Sequence, residues 1–310
     1  MKIAAVHMDA AFGDVIKNMD NVKNKIKEAK TKGAELILFP EFFTTGFAFS
    51  NKLYDSVLKY DDPQDKLNEY AKEYNIIIGG SYLKLRNNNV YNTFTLTFPN
   101  GQVFEHSKDI PTVYEHFIYT YGDENNVLET PIGNIGVALC WEQIRYNTLK
   151  RMAGKVDFVL AGSCWWGFSE NDPKELQDLN KIHNEMAVNA PIEIAKKLNV
   201  PVIHASYNAK FQGVTFPSGD KEEVREIMGA TQVIDRNGKV VSRKLYNEKP
   251  DIIIEDIDFD IKNRPKNTID TNEYWVLKMP DVYLYGWKTI PPKVEEYYNK
   301  ISKQMYLDKN

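Results

Sequence analysis

Residues 134–152, NIGVALCWEQIRYNTLKRM, decide how the rest of the chain is read. From Ile135 to Leu139 the run is apolar throughout, as a strand covered on both faces must be. It delivers Cys140 into a sharp turn, and the spacing predicts a helix from about Trp141 to Met152. A buried strand feeding directly into a helix is the unit from which α/β proteins are built.

The unit recurs on both sides. KIAAVHM at the N-terminus precedes a helix from Asp14 to Gly33, with Val15, Ile16, Met19, Val22, Ile26 and Ala29 on its apolar stripe, Asp14 to cap it and Gly33 to stop it. ELILFP follows, then a helix over roughly 64–74 with Leu67, Tyr70, Ala71 and Tyr74 on one face, then IIIGGSYLKL. VYNTFTLTFPNGQVFEHSK reads as a hairpin about Asn100-Gly101. Beyond Met152 come VDFVLAGS, a long helix over about 173–198, VPVIHAS, and a second hairpin about Asn237-Gly238. The chain is thus two similar halves, each with buried strands, two helices and a hairpin. Two sheets between outer helix layers would bury both faces of each sheet. Residues 1–280 are expected to form one domain, and 281–310 an aromatic-rich extension packed on this body or on a second subunit.

Composition narrows the function. A formal net charge of −4 offers no basic field for phosphates, so nucleic acid is not expected as a partner. No stretch approaches the ~20 apolar residues of a membrane span, and the N-terminal apolar run breaks at Asp9, too early for a secretory leader; a cytoplasmic location is expected. Two cysteines cannot make a disulfide framework, so each is judged for packing or reactivity. The five histidines lack metal-ligand spacing, and GxGxxG, GxxxxGK[ST] and GxSxG are absent, which removes the common metal, nucleotide and serine-hydrolase readings.

Three reactive side chains fall at strand ends, where α/β sheets build their sites. Glu41 closes LILFPE and is flanked by Phe42, Phe43 and Phe47, an apolar setting that raises a carboxylate's pKa and suits it to general-base work. Lys108 follows the first hairpin, where an ammonium can stabilise an oxyanion and lower a thiol's pKa. Cys140, at the start of a helix, would gain from free backbone N–H groups and the positive helix end. Cys164 also ends a strand, but Trp165, Trp166 and Gly167 follow rather than a helix, so it reads as pocket wall or core.

In this order, PEFFTTGF (40–47), HSKDIPTVYE (106–115) and GVALCWEQIRY (136–146) resemble the glutamate, lysine and cysteine motifs of the nitrilase superfamily of carbon–nitrogen hydrolases. The resemblance runs from Lys2 to about Phe259. It implies a four-layer αββα sandwich that pairs into a homodimer or higher homo-oligomer, with Glu41 as general base, Lys108 as oxyanion stabiliser, Cys140 as nucleophile and Glu115 as a second, supporting glutamate. The Trp141 backbone N–H would share the oxyanion with Lys108. Ser107 stands where some members carry an arginine, which leaves the substrate subgroup open.

The implied activity is hydrolysis of a small amide or N-carbamoyl compound through a cysteine thioester, with no cofactor and no metal. A nitrile substrate, acyl transfer and a catalytically silent scaffold are the alternatives. Phe42, Tyr114, Trp141, Glu142, Trp165 and Trp166 are the expected pocket residues for a substrate with an apolar body.

Overall fold

A computed structural model describes residues 1–48, 50–58, 63–214, 223–259 and 261–307. The first half runs β1 (Lys2–Met8), α1 (Val15–Thr31), β2 (Leu36–Glu41), α2 (Asn51–Leu58), α3 (Pro63–Tyr74), β3 (Ile77–Arg86), β4 (Asn89–Thr97) and β5 (Val103–Ser107). The second runs β6 (Val127–Thr130), β7 (Gly133–Leu139), α4 (Tyr146–Met152), β8 (Phe158–Gly162), β9 (Trp165–Trp166), α5 (Lys174–Gln177), α6 (Asn180–Leu198) and β10 (Val202–Tyr207). It continues with β11 (Lys210–Val214), β12 (Glu223–Met228), β13 (Ala230–Ile234), β14 (Val240–Leu245) and β15 (Asp251–Asp256); α7 (Asp281–Thr289), α8 (Pro291–Tyr297) and α9 (Lys303–Leu307) end the chain.

The strands form two mixed sheets of matching design. In one the order is β15-β1-β2-β3-β4-β5, with β1, β2 and β3 parallel and the outer strands antiparallel. In the other it is β14-β13-β10-β8-β7-β6, with β10, β8 and β7 parallel. They meet edge to edge where His7 pairs with Ser206 and Met8 with Tyr207. The period-2 alternation of strand side chains assigns each strand to two cores at once. Ile3, Ala5, Leu36 and Leu38 meet Ile135, Val137, Leu139, Phe158, Leu160 and Ile203 between the sheets. Ala4, Val6, Ile37 and Phe39 face outward against Val15, Met19, Val22, Ile26 and Leu67 of α1 and α3. Ala138, Val159, Ala161 and Val202 face the other way, against Leu149, Ile194 and Leu198 of α4 and α6. Three cores between four layers are the expected αββα sandwich.

Two expectations are corrected. The helix after Cys140 is interrupted: Cys140–Ile144 is a 3-10 turn, Arg145 is extended, and α4 begins only at Tyr146. The break exists because residues 274–276 cross here, Arg145 bridging Trp275 and the Tyr146 and Ile144 backbones bonding Tyr274 and Val276 at 2.9 Å each. The long helix is likewise two pieces, α5 and α6. Among the described residues no helix is long and apolar enough to cross a membrane. The small sheet β11-β12-β9 was not foreseen; it pairs Trp165 and Trp166 with Met228 and Ile227 behind the cavity described below.

Candidate active site

Glu41 is the last residue of β2, where the register with β3 shifts after Leu38 and Phe42 turns the chain with φ +58°. Its carboxylate is fully buried. Oε1 accepts from Asn92 Nδ2 of β4 (2.8 Å) and from Lys108 Nζ (3.0 Å), and Oε2 accepts from the Cys164 backbone N–H (2.9 Å). Burial, opposed by Lys108 and reinforced by Glu115, pushes its pKa up to about 7. The two sheets close on this point because Gly162, at the end of β8, has no side chain: a Cβ there would stand 3.0 Å from the Glu41 nitrogen.

Lys108 follows β5, its backbone N–H bonded to Asn92 O (2.8 Å). Its ammonium, also fully buried, donates to Glu115 Oε2 at 2.8 Å as well as to Glu41. Burial works against that charge, but Glu115 and Glu41 outweigh it and hold the pKa well above the usual lysine value. Glu115 lies in the 3-10 turn Val113–Phe117, where Oε2 also accepts from the Thr112 backbone N–H (2.7 Å) and from the Tyr119 hydroxyl.

Cys140 opens its turn at φ +49°. Its sulfur and a carboxylate oxygen from each of Glu41 and Glu115 all lie within 4.8 Å of one another. Such a trio could ligate a cation, but Lys108 Nζ already stands between the two carboxylates and supplies the positive charge. Burial first, then the Glu41 charge, pushes the Cys140 thiol well up, and Lys108 opposes without reversing this. The expectation that a helix end would favour resting thiolate is therefore corrected: the α-helix starts six residues later, and burial favours the thiol form. Three non-glycine residues around the cluster, Phe42, Val113 (φ +48°) and Cys140, adopt the left-handed backbone that side chains disfavour, Val113 being β-branched as well.

The lysine and cysteine segments are wired together by residues that the sequence reading passed over. Asp109 forms a buried ion pair with Arg145 and a half-buried one with Arg151 (2.6 Å), and Arg145 holds its carboxyl below the usual range against the opposing effect of burial. Glu142 Oε1 accepts from the Asp109 N–H and from His106 Nε2, both at 3.0 Å, and Oε2 accepts from the Leu139 N–H (2.8 Å). Burial disfavours a charge on His106, but Glu142 outweighs it and raises the pKa. Removing one member of such a buried pair costs about 3–5 kcal/mol, because the other charge is stranded.

The sulfur borders a cavity of about 310 Å³ lined by Thr112, Val113, Tyr114, Glu115, Trp141, Cys164, Trp165, Trp166, Phe168 and His183, with Arg225 and Asp172 toward one side. Tyr114, Trp141, Trp165 and Trp166 thus stand where expected, and Cys164 is wall. Phe42 and Glu142 do not. Phe42 is turned into the core by its left-handed backbone and stacks on Phe47 (ring centroids 4.6 Å), while Glu142 points inward as the network's acceptor. The tail contributes Val282, Tyr283, Gly286 and Ile290 to the same wall, with Tyr283 Oη 2.8 Å from His183 Nδ1. Burial lowers the pKa of His183 to about 3, so its ring is neutral. Asn92 and Tyr119, between alternating strand residues and aromatic runs, carried no local signature of their contacts.

A four-layer sandwich with a cysteine, a lysine and two glutamates gathered at strand ends defines a class, and residues 2–263 match the family model described as carbon-nitrogen hydrolase; the chain belongs to that family. Among individual relatives it is 30% identical to Nitrilase 3 of Arabidopsis thaliana over 164 residues, 46% of this chain and 47% of that protein. The chain spans about half the length of the curated relatives it matches. In fold it is similar to a carbon-nitrogen hydrolase from Helicobacter pylori G27 (TM-score 0.66, 20% identity, 83% of this chain and 89% of that one). It is similar too to an amidase from Nesterenkonia sp. (TM-score 0.64, 17% identity, 84% and 91%).

Proposed function

We propose that the protein hydrolyses a carbon–nitrogen bond of a small, neutral, largely apolar substrate through a thioester on Cys140. The observation that carries this reading is the buried cluster of Glu41, Lys108, Glu115 and the Cys140 thiol at one end of a mostly aromatic cavity. Ionised Glu41 takes the thiol proton as the sulfur attacks the electrophilic carbon, which avoids the cost of a free thiolate in a buried site. Lys108 and the Trp141 backbone N–H, at the start of a turn where helical N–H groups lack intrahelical acceptors, stabilise the negative charge that develops on oxygen or nitrogen. Glu115 holds Lys108 in place. Protonated Glu41 returns its proton to the departing nitrogen, and water activated by the same carboxylate releases the acid.

An amide consumes one water and gives acid and ammonia. A nitrile consumes two, passing through a thioimidate before the thioester. Both routes balance without a cofactor. Amides and N-carbamoyl compounds came first on the sequence, but the match to a protein named a nitrilase favours the nitrile, and we put it first. The test is ammonia release from matched nitriles, amides and N-carbamoyl compounds, with Cys140→Ala as control. The expected result is release that needs Cys140 and is fastest on nitriles. Release from every substrate by the variant would sink the nucleophile, and preference for amides would return the first order.

A further inference from the structure

The family match stops at residue 263, yet one wall of the cavity is built by α7, beyond it. That helix is fixed to the body from several sides. Tyr283 bonds His183 and packs on Trp141 (6.0 Å between ring centroids), and Trp287 stacks on Trp141 at 5.8 Å.

In the middle of α7 stands Gly286, buried and facing the cavity. Glycine inside a helix weakens it relative to alanine, so its presence calls for a reason. Neither of the common reasons holds here. Its φ lies outside the left-handed range, and a Cβ built on it would meet only Ile290 Cδ1 at 3.6 Å and Val113 Cγ1 at 3.8 Å, ordinary contact distances. Both of those side chains line the cavity too. What the missing side chain leaves is room, on the substrate's side of the helix.

We propose that Gly286 is a specificity-determining residue: α7 is a wall of the substrate cavity supplied by the same chain, and the gap at Gly286 sets how bulky a substrate body the site admits. The proposal rests on the reading given under Proposed function. A leucine at 286 would project into the space between Val113 and Ile290, whereas an alanine at 290 would widen it.

The experiment compares kcat/KM for phenylacetonitrile and propionitrile, and for the corresponding amides, in the unaltered protein, Gly286→Leu and Ile290→Ala. The expected result is a fall of about tenfold or more in the bulky-to-small ratio for Gly286→Leu, and a rise in that ratio for Ile290→Ala. Equal changes for both substrates, or none, in Gly286→Leu would overturn the proposal. Should that variant not fold, an unchanged ratio in Ile290→Ala overturns it alone. The same ratio, read as dissociation constants with the Cys140→Ala background, probes the wall without turnover. A protein that binds with the predicted size preference but turns nothing over fails as a hydrolase and not in this inference.

Discussion

Cys140 and Cys164 make a natural pair. They follow neighbouring parallel strands, β7 and β8, which pair Leu139 with Gly162; both are buried, both line the cavity, and burial followed by the Glu41 charge raises both thiols. Neither burial nor pKa separates them. The backbone does. At Cys140 the chain turns left-handed into a 3-10 turn and the sulfur joins the Glu41–Glu115 cluster within 4.8 Å; at Cys164 it runs on into β9, and the backbone N–H, not the sulfur, serves Glu41. On the proposed function, reactivity in a buried thiol is decided by which partner can take its proton and where the backbone aims it.

The strongest way to break this comparison is to delete each sulfur in turn. Cys140→Ala is expected to lower kcat/KM on the order of 10⁴-fold or more, and Cys164→Ala only several-fold, measured on one preferred substrate. Comparable losses would erase the distinction. Lys108→Met removes the cation bonded to Glu41 and Glu115 beside Cys140 and is expected to cost about 10²–10³-fold in kcat, read by steady-state kinetics. A change confined to KM would make it a mere structural cation.

The pH profile sharpens the point. A base must be ionised, so below about 7 the alkylation of Cys140 by iodoacetamide should fall about tenfold per pH unit as Glu41 protonates, and above that level off. A rate that climbs steadily past pH 9, tracking the thiol's own raised pKa, would remove Glu41 from the role. The label is followed by peptide mapping, with Cys164 expected to remain unmodified throughout.

Much of this was legible in one sequence. Buried runs such as NIGVALC and ELILFP betray strands because both faces are covered, and Glu41, Lys108 and Cys140 stand out because each ends one. The interrupted helix after Cys140 was not legible: residues 274–276, more than 120 positions away, supply the hydrogen bonds that extend Arg145, and local spacing carries no trace of a distant segment. Phe42 and Glu142 were misplaced for a related reason. Their types suit a pocket, but a left-handed backbone swings one into the core, and the acceptor needs of the Asp109 and Leu139 N–H groups claim the other. The Asp109–Arg145 pair, one residue past the lysine and five past the cysteine, is invisible until the two segments meet.

The buried trio of one lysine between two glutamates has a further consequence in its sum. With Glu41 ionised the cluster holds two negative charges against one positive, a surplus of one electron charge in a medium that screens it poorly. On the proposed function a nitrile or amide, being uncharged, would enter without an ionic clash with that surplus. The acid it would become ionises into an anion facing a like charge, so hydrolysis would weaken the cluster's hold on its own product.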